Sequence, residues 1–146
     1  MSLRHYFDYR YRVLYADTDR MGITYYANYL KWFEAARTEY FRALGFPYTE
    51  CEKKGIYLPV VEAHANYLAP STYDDDITVR TSVAEIGNST LRFEYQVIHA
   101  KTRVVLATGY TLHAFVTKAM KPCRVPAEIQ SVLREHKLLK KRCRCK

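Results

Sequence analysis

No stretch of this sequence reaches the roughly 18 consecutive apolar residues that a membrane-crossing helix needs, although 49% of its 146 residues are hydrophobic. Membrane insertion is therefore not expected. Met1 to Arg12 lacks the apolar core of a signal peptide; charges and aromatics alternate there instead. The default expectation is a cytoplasmic protein. Cysteine is scarce. Cys51, Cys123, Cys143 and Cys145 form no CxxC pair and have no His at zinc-finger spacing, so they are read as reduced thiols and no metal site is expected. Internal repeats and domain linkers are also missing. One domain over residues 1–138 is expected, with a basic tail over 139–146.

Acidic residues are in short supply, 15 against 23 Lys and Arg, for a formal net charge of +8. Such an excess favours an anionic partner: nucleic acid, an anionic membrane surface or a phosphate-bearing small molecule. Much of it lies in one place, however: Lys137, Lys140, Lys141, Arg142, Arg144 and Lys146 crowd the last ten residues. Without them the body is only mildly basic. The tail reads as a solvated charge run, and nucleic acid is not the expected partner.

What the chain has in quantity is tyrosine, 14 residues of it. Phe7, Tyr9, Tyr11, Val13 and Tyr15 alternate with Asp8, Arg10, Arg12 and Leu14, the period of a strand with one wet face. Aromatic rings suit such a half-buried pleat. From Asn28 to Leu44 the period changes. Tyr29, Phe33, Ala36, Tyr40 and Leu44 recur at three- and four-residue steps, Leu30 and Phe41 widen the stripe, and Trp32 lies to one side. That is a long helix with a broad apolar face, with Asn28 as N-cap and Gly45, then Pro47, as its stop. An irregular stretch and four strand-like runs follow: Tyr57 to Leu68, Asp76 to Ile86, Thr90 to His99 and Val104 to Val116. Gly87-Asn88 and Ala100 to Arg103 suit turns between the last three. The four are expected to form a meander. The segment Val104 to Tyr110 is apolar on both faces and reads as a central strand. Ala127 to Leu138 reads as a terminal helix. The fold class expected is α+β, an antiparallel sheet of about five strands wrapped round one long helix.

Chemistry concentrates in Tyr15-Ala16-Asp17-Thr18-Asp19-Arg20-Met21-Gly22-Ile23-Thr24-Tyr25-Tyr26. Two carboxylates stand at a strand end, and a glycine-bearing loop leads from them into a long helix. The first N–H groups of a helix have no partner within it and carry partial positive charge. Aimed at a carbonyl oxygen, they stabilise an oxyanion. A carboxylate nearby can attack the carbonyl carbon or take a proton from water. The bland alternative is that both aspartates only cap turn backbone.

Asp17-Thr18-Asp19-x-x-Gly22-Ile23-x-Tyr25-Tyr26-x-x-Tyr29 followed by Phe33-Glu34-x-x-Arg37 resembles the signature of the 4-hydroxybenzoyl-CoA thioesterase-like hotdog proteins, and of the short acyl-CoA thioesterases associated with the bacterial Tol–Pal system. The likeness extends to Asp74-Asp75-Asp76-Ile77-Thr78-Val79 and to Lys118-Ala119-Met120-Lys121-Pro122. It implies a hotdog fold and acyl-CoA thioester hydrolysis. It further implies Asp17 as nucleophile or general base, Asp19 as the residue that holds the loop, and Gly22 with Ile23 as the backbone beside the thioester. An N–H at Tyr25 or Tyr26 would polarise the carbonyl. Some relatives carry His where this chain has Tyr26, and a tyrosine is far from its pKa as a base at neutral pH. The resemblance also implies a homodimer or homotetramer with the site between subunits. Lys118, Lys121 and Arg124 are the candidates for the CoA phosphates. Ser89 with Thr90 is the candidate for the pantetheine arm, and Trp32 with Tyr67 for the acyl pocket. No cofactor is implied beyond the CoA of the substrate.

Other polar residues carry plainer expectations. Glu34 and Arg37 are spaced to pair on one helix, Glu34 is a minor rival to Asp17, and His113 is expected in the core. Two functions outside hydrolysis stay open at this point. A dehydratase would want a His after Asp17, and none precedes the helix. A binding protein for acyl-CoA or acyl carrier protein would need no turnover.

Overall fold

The computed structural model describes residues 6–46 and 48–144, with side chains described up to residue 135. Pro47, His5, His136, Cys143 and Cys145, and the tail's basic side chains, lie outside the described groups. The chain forms strand β1 (Phe7–Arg12), a single 3-10 turn (Tyr15–Asp17), helix α1 (Asn28–Ala43) and a short helix α2 (Tyr48–Lys53). Strands β2 (Ile56–Tyr57), β3 (Val60–Tyr67), β4 (Asp76–Ile86), β5 (Thr90–His99), β6 (Val105–Ala114) and β7 (Val116–Thr117) follow, and helix α3 (Ala127–Arg144) ends it. One sheet of five antiparallel strands has the order β1-β4-β5-β6-β3, and α1 packs on its inner face: the α+β hotdog arrangement.

Three of the four expected strands form the meander, β4 to β5 to β6. The fourth departs from it. β3 crosses the sheet and pairs with β6, His64 opposite Tyr110, so it occupies the far edge. β6 is interior, as its apolar faces require, but the middle strand is β5. The run expected from Tyr57 to Leu68 is broken at Leu58-Pro59, since proline has no N–H for a ladder. Its first part, β2, joins β7 in a separate two-stranded ribbon.

Alternation places Ile77, Val79, Leu91, Phe93, Tyr95 and Val97 inward, against Phe33, Ala36, Tyr40 and Phe41 of α1. Phe33 stacks on Tyr95 with ring centroids 4.3 Å apart. This close approach depends on Gly109 of β6, where an added Cβ would sit 2.6 Å from the Phe33 ring and against the backbone carbonyl of His64. Only one side of α1 is covered within a single chain. Leu30, expected in the apolar stripe, is 41% exposed.

The helix ends differ in how closely they follow expectation. At the C-terminus Gly45 has φ +89°, and Gly45 N–H and Phe46 N–H return to the carbonyls of Arg42 and Phe41, a Schellman closure. At the N-terminus Asn28 is not the cap; Ala27 holds that position without a side-chain bond, and the Asn28 amide turns to another task described below. The stretch expected to be irregular contains α2, whose Tyr48 packs on Phe41 at 5.1 Å. α3 anchors through Ile129 and Leu133 and runs on to Arg144, past the expected tail boundary at residue 138.

Candidate active site

The loop between β1 and α1 is a compact turn. Thr18 bridges Thr24, and Ile23 bridges Thr72. Asp19 N–H donates to the Ile23 carbonyl at 2.8 Å, and Gly22 N–H to the Asp19 carbonyl at 3.0 Å. Gly22 takes φ +81°, a left-handed conformation that side chains other than glycine rarely adopt. A second anchor lies beneath. Thr24 Oγ1 and Ser71 Oγ are 2.6 Å apart, and the Tyr29 hydroxyl meets Ser71 Oγ at 3.0 Å. The loop is thereby tied to the start of α1 and to the β3–β4 connection.

The two carboxylates differ in surroundings. Asp17 is buried, 6% exposed. Its Oδ2 accepts the Tyr11 hydroxyl at 2.6 Å and Leu14 N–H at 2.9 Å. Its backbone carbonyl accepts Tyr25 N–H at 2.7 Å and the Asn28 side-chain amide at 2.8 Å. Asp17 thus joins β1, the loop and the start of α1. Tyr11 is pushed up to about 12, first by burial and then by its bond to the Asp17 carboxylate and that group's charge, so it remains a donor near neutral pH. Asp19 is only half-buried. Its Oδ1 accepts Met21 N–H at 2.8 Å, the loop-holding contact expected of it, and its Oδ2 accepts no hydrogen bond among the described residues.

Of the two expected carbonyl-polarising groups, Tyr25 N–H is taken by the Asp17 carbonyl. Tyr26 N–H donates to no described residue. The Tyr26 carbonyl accepts the Tyr67 hydroxyl at 2.8 Å, and the two rings meet edge to face at 6.2 Å. Tyr67 therefore holds this segment in place. The Tyr25 phenol is pushed above its ordinary value by its hydrogen bond with Tyr26, which removes it further from service as a base. Both rings are open to solvent, 46% and 61% exposed. Trp32, expected at the acyl pocket, is 4% exposed in the single chain and packs behind Tyr11 and Tyr29, at 5.3 and 4.7 Å. Trp32 supports the Tyr11–Asp17 pair from the core side.

Asp17, Asp19, Gly22, Ile23, Tyr25, Tyr26 and Tyr67 thus come together at one end of the sheet. Ser89, Lys118, Lys121 and Arg124 do not join them. Ser89 lies where β5 begins, its carbonyl accepting Phe115 N–H, and the three basic residues follow β7 on the exposed surface. Tyr67 pairs with Ala107, whereas Ala114 pairs with Thr90. Along β6 the two ends are about 20 Å apart at ~3.3 Å per residue. Within one chain these residues and the loop therefore lie at opposite ends of β6.

His113 is a satisfied core residue, fully buried, with ring nitrogens 2.8 Å from Thr111 Oγ1 and 3.1 Å from the Leu58 carbonyl. Glu34 and Arg37 form no ion pair: Glu34 is exposed and Arg37 is buried towards Tyr95. No three His, Cys, Asp or Glu converge among the described residues, and no described helix is long and apolar enough to cross a membrane. Sequence reasoning missed Tyr11, Asn28 and Ser71. The β1 alternation put Tyr11 on the core face without indicating where its hydroxyl goes.

Residues 13–133 match the model of the thioesterase-like superfamily. Over 126 residues the chain is 34% identical to the acyl-CoA thioesterase YbgC of Haemophilus influenzae, covering 86% of this chain and 92% of that one. Among solved structures, the DHNA-CoA thioesterase of Staphylococcus aureus superposes with TM-score 0.89 at 29% identity, covering 94% of each chain. A protein of Aquifex aeolicus superposes with TM-score 0.82 at 34% identity, over 87% of this chain and 98% of that one.

Proposed function

Because this chain belongs to the thioesterase-like superfamily, we propose that it hydrolyses acyl-CoA thioesters at the loop between β1 and α1. One observation carries the reading: an open carboxylate, a positive-φ glycine and an unengaged N–H at the start of a 16-residue helix lie on one short loop. Tyr26 N–H, at the positive end of α1, polarises the thioester carbonyl and receives the oxyanion. A carboxylate oxygen either takes the proton of an attacking water or attacks the carbonyl carbon itself to give a mixed anhydride that water then opens. In both routes the C–S bond breaks and the electron pair leaves on the CoA sulfur. The chemistry asks for no cofactor beyond the CoA of the substrate.

Asp19 supplies that oxygen. Its free Oδ2 and half-open position favour it over Asp17, whose carboxylate is fixed from two sides. Asp17 is the second reading, supported by its Oδ1, which accepts no bond among the described residues. On the first reading Asp17 sets the loop, and Gly22 and Ile23 form the backbone beside the substrate.

The substrate's CoA end is bound by Ser89, Lys118, Lys121 and Arg124 of a second copy. β3 is an open edge carrying exposed Val60 and Val61. Antiparallel pairing of two β3 edges about a two-fold axis sets the Tyr67 end of one chain beside the Val60 end of the other. Each loop then faces the basic end of its partner. The working unit on this reading is a cytoplasmic homodimer, or a homotetramer built from it. The exposed Tyr25, Tyr26 and Tyr67 suit an aromatic or a short to medium aliphatic acyl group.

The test is CoA release across aromatic and aliphatic acyl-CoAs for wild type, Asp19→Asn and Asp17→Asn. Asp19→Asn is expected to lose about 100-fold or more in kcat with its melting temperature unchanged. Asp17→Asn is expected to lower the melting temperature together with turnover. Turnover lost in Asp17→Asn alone, at unchanged stability, returns the catalytic role to Asp17. A folded wild type that turns over no CoA ester is instead a carrier-protein thioesterase or an acyl-thioester binding protein.

A further inference from the structure

Helix α1 carries a second polar group that the thioester chemistry leaves unused. Arg37 lies nine residues beyond Asn28, about 14 Å along the axis, and is only 9% exposed. Buried charges are normally paired, because an unpaired one in a low-dielectric interior is costly. Arg37 is not. All 15 Asp and Glu of the chain lie among the described residues, and none is in an ion pair with it. Its polar neighbours are two phenols: Nη1 meets the Tyr95 hydroxyl at 3.5 Å, and the Tyr48 hydroxyl also lies beside the guanidinium. Its Nε has no hydrogen-bond partner, and the nearby Tyr48 hydroxyl makes no hydrogen bond of normal geometry. No neighbour supplies negative charge: burial pushes both Tyr48 and Tyr95 up, so they stay protonated.

Arg37 and Tyr48 both line a cavity of about 340 Å³ between α1, α2 and β2, whose apolar walls include Phe41, Ile56, Leu58 and Phe115. That is within the size range of small-ligand sites, as is the pairing of an apolar wall with a few polar groups. We propose that this cavity binds the carboxylate of a small organic acid with an apolar body, Arg37 supplying the compensating charge and Tyr48 a hydrogen-bond donor. A guanidinium matches a carboxylate's two oxygens. A phosphate fits less well, since one cation would face a dianion beside Glu34 and Glu52, which border the same cavity. The site stands apart from the loop and does not rest on thioester hydrolysis.

The probe is benzoate, with benzamide as its neutral counterpart, titrated calorimetrically into the full-length protein at fixed ionic strength. Benzoate is expected to bind and benzamide to bind at least about tenfold more weakly. Tyr48→Phe removes one hydroxyl that makes no hydrogen bond of normal geometry, so it is expected to keep the fold and to weaken benzoate about tenfold. Arg37→Gln is expected to abolish binding; if it does not fold, Tyr48→Phe carries the test. A second readout is the imidazole of His113, which is held low first by burial and then by the charge of Arg37. Bound benzoate offsets that charge, so the His113 titration followed by NMR moves to higher pH. Equal binding of benzamide, no binding of benzoate by wild type, or no change in Tyr48→Phe would overturn the proposal. So would binding that responds to Asp19→Asn but not to Tyr48→Phe, which would put the acid at the thioester loop.

Discussion

Tyr11 closes on Asp17 from six residues upstream, and that contact separates the two loop carboxylates. In the sequence Asp17 and Asp19 are equivalent members of one motif, and the resemblance assigned the reactive role to the first. Which one faces outward depends on the Tyr11 hydroxyl and on the Asn28 amide, both engaged by Asp17. Side-chain type and spacing marked the loop, but hydrogen-bond partners are a property of the folded chain. His113 was legible as a core residue, and its burial has a measurable consequence. Burial first, then the charge of Arg37, lowers it from the ordinary 6.5 to about 4. Below pH 6.5 the unfolded chain therefore binds a proton that the folded chain does not. Stability is intact above that pH and is lost as pH falls towards 4, by about 3 kcal/mol in total. Urea denaturation at pH 7 and pH 4.5 is expected to show the fall. In His113→Gln the difference between the two pH values shrinks; an undiminished difference would assign the acid sensitivity to other groups.

At the scale of elements, the strands and α1 were legible because their periods, two and about 3.6, are local properties of the chain. Strand order was not. Alternation shows which face of β3 would meet a core but not which strand lies beside it, and β3 chose β6 over its sequence neighbour β4. α2 was missed because six residues are too few to display a helical period. The contact between α1 and the sheet rests on a position the sequence shows only as a glycine within an apolar strand. At Gly109 a methyl group would meet the Phe33 ring and the β3 backbone, neither of which is the free end of a flexible chain. Gly109→Ala is expected to cost about 1–3 kcal/mol and to lower the melting temperature. It would leave the motif loop unaltered, so residual folded protein should keep its kcat. Unchanged stability would mean that α1 can lift from the sheet at no cost.

For the whole molecule, the decisive fact is that the loop and the basic end stand about 20 Å apart along β6. The motif and the basic residues were all readable, but their separation was not, because it follows from the direction in which β6 runs. On the proposed reading a single chain would present half a site at each end of its sheet, and the exposed β3 edge is the element through which a two-fold partner would supply the other half. Val61 is 57% exposed on that edge. In Val61→Asp, a charge would be placed on the strand edge that the partner's β3 would cover, which disfavours edge pairing, while nothing inside one chain changes. Size-exclusion chromatography is expected to show a monomer with the circular dichroism of the wild type. Turnover per chain is expected to fall at least about tenfold, with Asp17, Asp19 and Tyr26 untouched. Adding back an Asp19→Asn chain that carries wild-type Val61 should not restore activity unless mixed dimers form, so rescue would track dimer content. A Val61→Asp monomer with undiminished kcat and KM would instead show that each chain holds a complete site, and Lys118, Lys121 and Arg124 would then have no part in binding the CoA phosphates.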